Sequence, residues 1–490
     1  MTEPQTSLDP ADWTGLRALG HRMLDHVIDR LTRLRQGKVW QPMPAPIRAS
    51  FRTALPRTGI GAEAAYDEFL RRIAPYASGN THPRFMGWVQ GGGNPVAMLT
   101  ALLEAGLNEN CGGRDHVGLA VERQIIAWSA EMLGLPTSTG GLLVTGSSMA
   151  NFIAVLCARR QALGADVRTH GLGSHRLTGY AQTGVHRCVP GAFDMAGIGS
   201  DALRRIPTNA ACQINLAALE AQIIADRATG HTPFLIVATA GTVDVGAIDP
   251  LPALADLAAR YGLWLHVDAA FAALAALSPR HADLLTGIDR ADSVAFDFHK
   301  WAQIQYDCGC VLVRAEQLML DSFAQNAPYL SAAPSSAPRG LAGGTPWPCD
   351  LGPDLSRSFR ALKIWMTLQS YGADALGAVV DQTCAVASHL GALIDATPGL
   401  TRLAPVALNI VGFRYDDGGD DLDALNADLV ADLQESGEFV VSSTLIDGQR
   451  AIRAAFVNHR TVKADADALV AAILAAATAR QRPIQRSIQN

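Results

Sequence analysis

A chain of 490 residues is long enough to bury a large core unaided, and its length suits one large α/β body with smaller appendages. Hydrophobic residues make up 49% and charged residues 18%, with 45 Gly and 25 Pro dispersed along the sequence, which excludes disorder, collagen and coiled coil. Lys plus Arg total 40 against 46 Asp plus Glu, a net charge of −6 with no basic stripe, so nucleic acid is not an expected partner.

Residues Met1 to Asp12 are polar and acidic, with no apolar leader core, and no apolar run approaches the roughly 18 residues of a membrane span. A cytoplasmic protein without membrane contact is therefore expected. Cys111, Cys157, Cys188, Cys212, Cys308, Cys310, Cys349 and Cys384 are too sparse for a disulfide framework and form no paired CxxC. Reduced, mostly buried thiols are expected, and no metal site.

From Trp13 to Leu34 apolar residues recur at Leu16, Leu19, Met23, Val27 and Leu31, the stripe of an amphipathic helix. The Pro-spaced stretch Val39 to Pro56 reads as an extended arm, because each proline removes a donor and biases its predecessor away from helix. A helix and arm without a core of their own must pack on something, and a homodimer is the expectation. From about 95 to 315, helical patterns alternate with β-rich runs at 141–145, 234–239, 263–267, 293–298 and 309–313, which predicts βαβ units and a mainly parallel sheet. Residues 316–356 are rich in Pro and Gly without clear periodicity and read as one long functional loop. A helix resumes over 357–371. Beyond 376, long helices surround strands at 409–413 and 452–457, a smaller α+β unit. The predicted division is a helical and extended segment 1–85, a large domain 86–375 and a small domain 376–490.

Ligands of parallel sheets sit at the carboxyl ends of strands, so the polar residues that follow each run are the candidates for chemistry. The run SVAFDFHKW ends in His299 and Lys300, where a lysine can form a Schiff base with a carbonyl cofactor; the alternative is a solvated surface lysine. HVDAA ends a strand at Asp268, which suits a carboxylate paired with a pyridinium nitrogen, or a helix N-cap. TGSSMAN places a Gly, Ser147 and Ser148 before an apolar helix, either a phosphate cradle or an ordinary capped turn. It is neither a P-loop nor a dinucleotide fingerprint. His186 follows a short β-like segment and taken alone is a structural histidine as readily as a functional one. Taken together, this order and spacing match pyridoxal 5′-phosphate (PLP).

With these residues in view, the sequence resembles the group II PLP-dependent amino-acid decarboxylases, which include aromatic L-amino acid, histidine and glutamate decarboxylases. The resemblance is carried by FRTALP (51–56), HPRFMGW (82–88), TGSSMAN (145–151), VATAGTVDVGAID (237–249), WLHVDAAFA (264–272), DFHKW (297–301) and FRALKIW (359–365). It implies fold type I of PLP enzymes, with a mainly parallel seven-stranded sheet in the large domain, a smaller C-terminal α+β domain and an intimate homodimer. It implies Lys300 as the Schiff-base lysine, Asp268 as the pyridinium partner and His186 as the imidazole on the ring face. Ser147, Ser148, Met149 and His299 fall on phosphate-binding positions, Ala270 lies under the ring, and Thr239 and Thr242 form the polar turn beside it. Tyr329 falls on the loop tyrosine implied to protonate the α-carbon.

The sequence departs from the family pattern at Met149, where a hydroxyl is usual, at Arg187 and Cys188 after the stacking His, and at Val243. Substrate-pocket positions fall on Trp88, Val89, Gln90, Asn108 and Asn110, a more polar lining than an indole or catechol pocket usually has; Arg114 and His116 would suit an acidic substrate. The implied reaction is decarboxylation of an L-amino acid, an aromatic one first, to amine and CO2 through an external aldimine and a quinonoid. The alternatives are a non-aromatic (acidic or aliphatic) substrate, oxidative deamination to an aldehyde, transamination, or a PLP-binding protein without turnover.

Overall fold

A computed structural model describes residues 7–325, 340–343 and 346–488. The chain opens with α1 (Trp13–Thr32), whose N-cap Asp12 accepts a hydrogen bond from Thr14 N. Leu19 is its buried residue, while Trp13, Leu16, Met23, Val27 and Ile28 stay exposed. The arm after it is not wholly extended: Ala45–Ala49 forms a short α2, because Pro46 lies in the first turn, where a missing N–H goes unused. Three helices follow, α3 (Ala62–Arg72), α4 (Pro95–Leu107) and α5 (Val117–Met132).

Seven strands build the large sheet: β1 (Gly140–Val144), β2 (Leu177–Gln182), β3 (Leu203–Ile206), β4 (Thr232–Thr239), β5 (Trp264–Asp268), β6 (Ser293–Asp297) and β7 (Gly309–Val313). Their order is β1-β7-β6-β5-β4-β2-β3, and β7 alone runs against the rest. The helices between them are α6 (Ser147–Leu163), α7 (Val167–His170), α8 (Cys188–Met195), α9 (Leu216–Ala228) and α10 (Leu251–Tyr261). Alternate strand residues enter two cores. Ile236, Ala238, Val294 and Phe296 face one, and Leu235, Val237 and Ala295 face the other. Burial on both faces explains why these strands read as continuous apolar runs.

The described residues of 316–356 are more structured than a bare loop: Glu316–Phe323 forms α11, which seats Met319 in the second core, and Trp347 is buried in the first. Then come α12 (Arg360–Tyr371), α13 (Ala373–Ala396), β8 (Leu400–Arg402), β9 (Ile410–Tyr415), α14 (Leu422–Ser436), β10 (Ser442–Ile446), β11 (Gln449–Ala455) and α15 (Lys463–Ile488). The last four strands form an antiparallel sheet in the order β10-β11-β9-β8. By length and composition α13 could cross a membrane, contrary to the sequence expectation, but Val386, Leu390 and Ile394 on it are fully packed against this second sheet and its helices. The arm is stitched to the same unit: Val39 N donates to Gly437 O at 2.8 Å, Met86 N donates to Val440 O at 2.7 Å, and Arg35 pairs with Asp465 at 2.9 Å.

Candidate active site

Strand register sets the site. Thr239 at the end of β4 lies beside Asp268 at the end of β5; Asp268 lies beside Ala295 on β6, two residues before Asp297, and Asp297 lies beside Gly309 on β7. The chemistry predicted from separate sequence segments therefore converges on one sheet edge.

Lys300 sits three residues past β6, with Nζ 2.9 Å from Asp297 Oδ2. Burial works against the ammonium, but Asp297, with Asp268 behind it, outweighs burial and holds the Lys300 pKa above the usual value. Burial likewise opposes the Asp297 charge, and Lys300, with a hydrogen bond from Ser147, reverses that and holds the carboxyl low. Asp297 also receives the first turn of α6, since Ser147 N donates to Oδ1 at 2.6 Å and Ser147 Oγ donates to Oδ2 at 2.7 Å. No side chain fits between these groups: a Cβ on Gly309 would meet Gly146 Cα at 2.5 Å and Asp297 Oδ1 at 2.7 Å.

Asp268 is 3% exposed. Its carboxylate accepts from Ala270 N at 3.2 Å and from Asn151 Nδ2 at 3.3 Å, with Cys188 Sγ at 3.9 Å. Burial pushes its carboxyl up to about 6, with Lys300 pulling the other way. Asn151 is oriented in turn by His266 Nε2, 2.8 Å from its Oδ1, and His266 Nδ1 meets Ser293 Oγ at 2.8 Å. Full burial holds His266 down to about 3, so this chain is neutral and fixes the amide that faces Asp268.

His186 is exposed on one side and accepts from Cys188 N at Nδ1 over 3.3 Å, which leaves the proton on Nε2. Crowding by protein and the Lys300 charge hold its pKa below the usual value. His299 is buried; its Nδ1 accepts from Cys308 N at 3.1 Å, and the Tyr306 ring packs over it at 4.3 Å between centroids. Thr239 N donates to Asp249 at 2.8 Å while its buried Oγ1 has no hydrogen-bond partner among the described residues, and Thr242 Oγ1 closes its own turn by accepting from Ala247 N at 3.0 Å. Ser148 and Met149 lie in the first turn of α6, with Ser148 exposed.

The pocket run reaches the lysine through its glycines. Gly91 N donates to His299 O at 3.2 Å, and a Cβ on Gly91 would collide with the carbonyls of His299 and Lys300. Gln303 ties three segments together. Its Oε1 accepts from Gly92 N at 2.9 Å, its Nε2 donates to Val457 O at 2.7 Å, and its own carbonyl accepts from Asn94 Nδ2 at 3.0 Å. Val89 is buried behind the half-exposed Trp88. Asn108 is the left-handed C-cap of α4, and Asn110 Oδ1 accepts from Gly112 N and Arg357 N, so local structure accounts for both. Arg114 stacks on Trp347 at 4.7 Å, and His116 caps α5. Tyr329 lies outside the described residues.

Sequence reasoning missed Asp297, Asn151, His266 and Gln303. Asp297 was legible, three residues before Lys300 in DFHKW; Asn151, four residues after Ser147, shares its helix face.

A buried acid needing a cation, an orphaned hydroxyl on Thr239, a helix N-terminus and a lysine at one sheet edge suit the ring nitrogen, a polar substituent, the phosphate and the aldehyde of PLP. Together with the seven-stranded sheet, they define a fold type I PLP-dependent enzyme. The sequence matches the pyridoxal-dependent decarboxylase conserved domain over residues 44–416, and the chain belongs to that family. It is similar to aromatic-L-amino-acid decarboxylase of Bacillus atrophaeus, 30% identical over 458 residues, 91% of this chain and 92% of that protein. Phenylacetaldehyde synthase of Arabidopsis thaliana is 26% identical over 461 residues, 91% of this chain and 93% of that protein. The crystal structure of Oryza sativa TDC with PLP and tryptamine superposes with a TM-score of 0.88 at 25% identity, covering 97% of this chain and all of that one. The protein is a PLP-dependent amino-acid decarboxylase.

Proposed function

We propose that this enzyme decarboxylates an aromatic L-amino acid to the corresponding amine. The observation that carries the reading is the cluster of Lys300, Asp297, Asp268 and the α6 N-terminus at the carboxyl ends of β5 and β6. Aromatic substrates are favoured by the likeness to the Bacillus atrophaeus enzyme and to the tryptamine-bound rice structure.

PLP, when bound, supplies the electron sink that accepts the pair left as CO2 departs. Lys300 would hold the aldehyde end of the cofactor, and Asp268 would keep a cation at its ring nitrogen. Asn151, fixed by His266, keeps the Asp268 carboxylate turned toward that position. The phosphate falls to the first turn of α6 with His299, where Ser148 offers the hydroxyl that Met149 lacks. His186, neutral and protonated on Nε2, would cover the ring face of the bound cofactor and can donate a proton. We assign protonation of the α-carbon to Tyr329 or His186; one positioned acid supplies roughly 10²- to 10⁴-fold in rate. Trp88 and Val89 shape the apolar side of the substrate pocket, and Gln90 lies where their run turns back to the lysine.

We further propose a homodimer built on the open faces of α1 and α4, with 1–85, 86–375 and 376–490 as its structural divisions. A cytoplasmic setting suits eight thiols of which six are buried. The likeness to an aldehyde synthase makes the product the point to test. PLP-loaded protein is incubated with the L-amino acids, L-DOPA and 5-hydroxytryptophan, and CO2, amine and aldehyde are read by mass spectrometry. Amine with stoichiometric CO2 from aromatic substrates is expected. Aldehyde with peroxide, or turnover confined to acidic or aliphatic substrates, would overturn the reading.

A further inference from the structure

The end of α6 that suits a phosphate is already engaged by an anion of the chain itself. Asp297 takes both Ser147 donors, at 2.6 and 2.7 Å, and pairs with Lys300 at 2.9 Å. Gly309 and Gly146 pack against the same carboxylate, so it has no room to withdraw across β7. A phosphate monoester, with its second pKa near 6, is mostly a dianion at neutral pH. Bringing it to this helix end therefore places it beside a fixed carboxylate.

The surrounding groups do not neutralise the pair. His299, on the same loop as Lys300, and His186, ahead of α8, are both held below the usual histidine range and are neutral. Cys188 on α8, Cys310 on β7 and Tyr306 are all pushed up by burial and stay protonated. Asp268 on β5 is a second acid, and the ring nitrogen of PLP answers its charge. Lys300 is the one cation paired with Asp297 among the described residues, and it is also the group that the cofactor's aldehyde engages. The helix end offers only about half a charge.

We propose that Asp297 and the cofactor's phosphate share a proton, so that seating the phosphate on α6 takes up one proton from solvent and Asp297 sets how tightly this chain holds PLP. The proton sits between a carboxylate oxygen and a phosphate oxygen, no covalent bond changes, and the phosphate is held as an acid–anion pair. Asp297 is thus an affinity-determining residue for the cofactor, distinct from Lys300 and Asp268, which engage its aldehyde and ring.

Two experiments on cofactor-free full-length protein test this. In the first, calorimetric titrations with PLP and with pyridoxal, which lacks only the phosphate, are run at pH 8 in two buffers of different ionisation enthalpy. PLP should take up about one proton more than pyridoxal; equal proton numbers would overturn the proposal. In the second, Asp297→Asn keeps an oxygen to accept from Ser147 but removes the charge. Its Kd for PLP at pH 8 should fall at least about tenfold below that of the parent, because a unit charge a few Å from the phosphate is removed. That advantage should shrink toward pH 6, where the phosphate itself becomes a monoanion. Unchanged or weaker binding by Asp297→Asn, or an advantage independent of pH, contradicts the proposal. The calorimetry needs no variant, so it decides the question even if Asp297→Asn does not fold. Failure of the cofactor assignment itself shows differently, as binding of neither PLP nor pyridoxal.

Discussion

Burial alone would disarm Asp268. Burial pushes its carboxyl up to about 6, from an ordinary value of 3.8. A raised carboxyl stabilises the fold below the ordinary value, and that contribution is lost as pH rises through about 6, so the buried charge is held at a cost near neutrality. Asp268→Asn removes the charge and the cost. Without PLP, the variant should be more stable than the parent by about 2 to 3 kcal/mol at pH 7.5 in denaturant melts, with roughly half that gain at pH 5. With PLP, the same substitution should lower kcat by on the order of 10²- to 10³-fold, because the ring loses its fixed counter-charge. Greater stability without function marks a residue kept for chemistry; equal loss of both would mark a packing residue. At this scale Lys300 and Asp268 were legible because each stands at or just past the end of a short apolar run, where a parallel sheet presents its ligand-facing residues. Asn151 was not, because its partners Asp268 and His266 lie more than 110 residues away and no local pattern predicts a contact of that span.

At the scale of elements, the edge of the sheet is locked by charge. Glu122 on α5 accepts from Leu143 N on β1 at 2.9 Å and from Arg357 Nη1 at 3.0 Å, and Arg357 donates onward to Cys111 O and Leu143 O. Both side chains are almost fully buried. Glu122→Ala leaves a guanidinium uncompensated in the core and should cost about 3 to 5 kcal/mol, whereas the double replacement Glu122→Leu with Arg357→Met should cost less than either single change. Denaturant titration of Glu122→Ala, of Glu122→Leu and Arg357→Met singly, and of the double replacement checks this, and additive losses in the double would contradict it. The five long apolar strands were legible because both of their faces are buried. Leu203–Ile206 was not, since this outer strand is only four residues long and its two middle residues are arginines that are not buried, with Leu203 and Ile206 buried at its ends. In 316–356 the prolines and glycines masked α11, an eight-residue helix held by Met319 on the second core. The run of β7 was legible, but its antiparallel direction was not, because that direction is set by a short return after Lys300 and not by the strand's own composition.

On the scale of the whole molecule, the open apolar faces ask for a partner. Leu99, Leu102, Leu103 and Leu107 on α4 are 42 to 65% exposed, and the stripe of α1 is open beside them in the chain's arm. A surface of that kind on a folded chain marks an interface. Light scattering should give twice the 51.8 kDa chain mass, and Leu102→Asp with Leu103→Asp should give the single-chain mass with impaired turnover; a monomer with full activity would contradict the proposed homodimer. The helix and arm made this expectation legible in the sequence, but the contribution of α4 was hidden, since its apolar residues read equally well as core. The central claim is that these distant segments meet to present Lys300 to the cofactor. Borohydride reduction of the PLP-loaded protein followed by peptide mapping tests it most directly. A pyridoxyl group on Lys300 is the predicted result, and a pyridoxyl group on any other lysine, with Lys300 unmodified, would contradict the account.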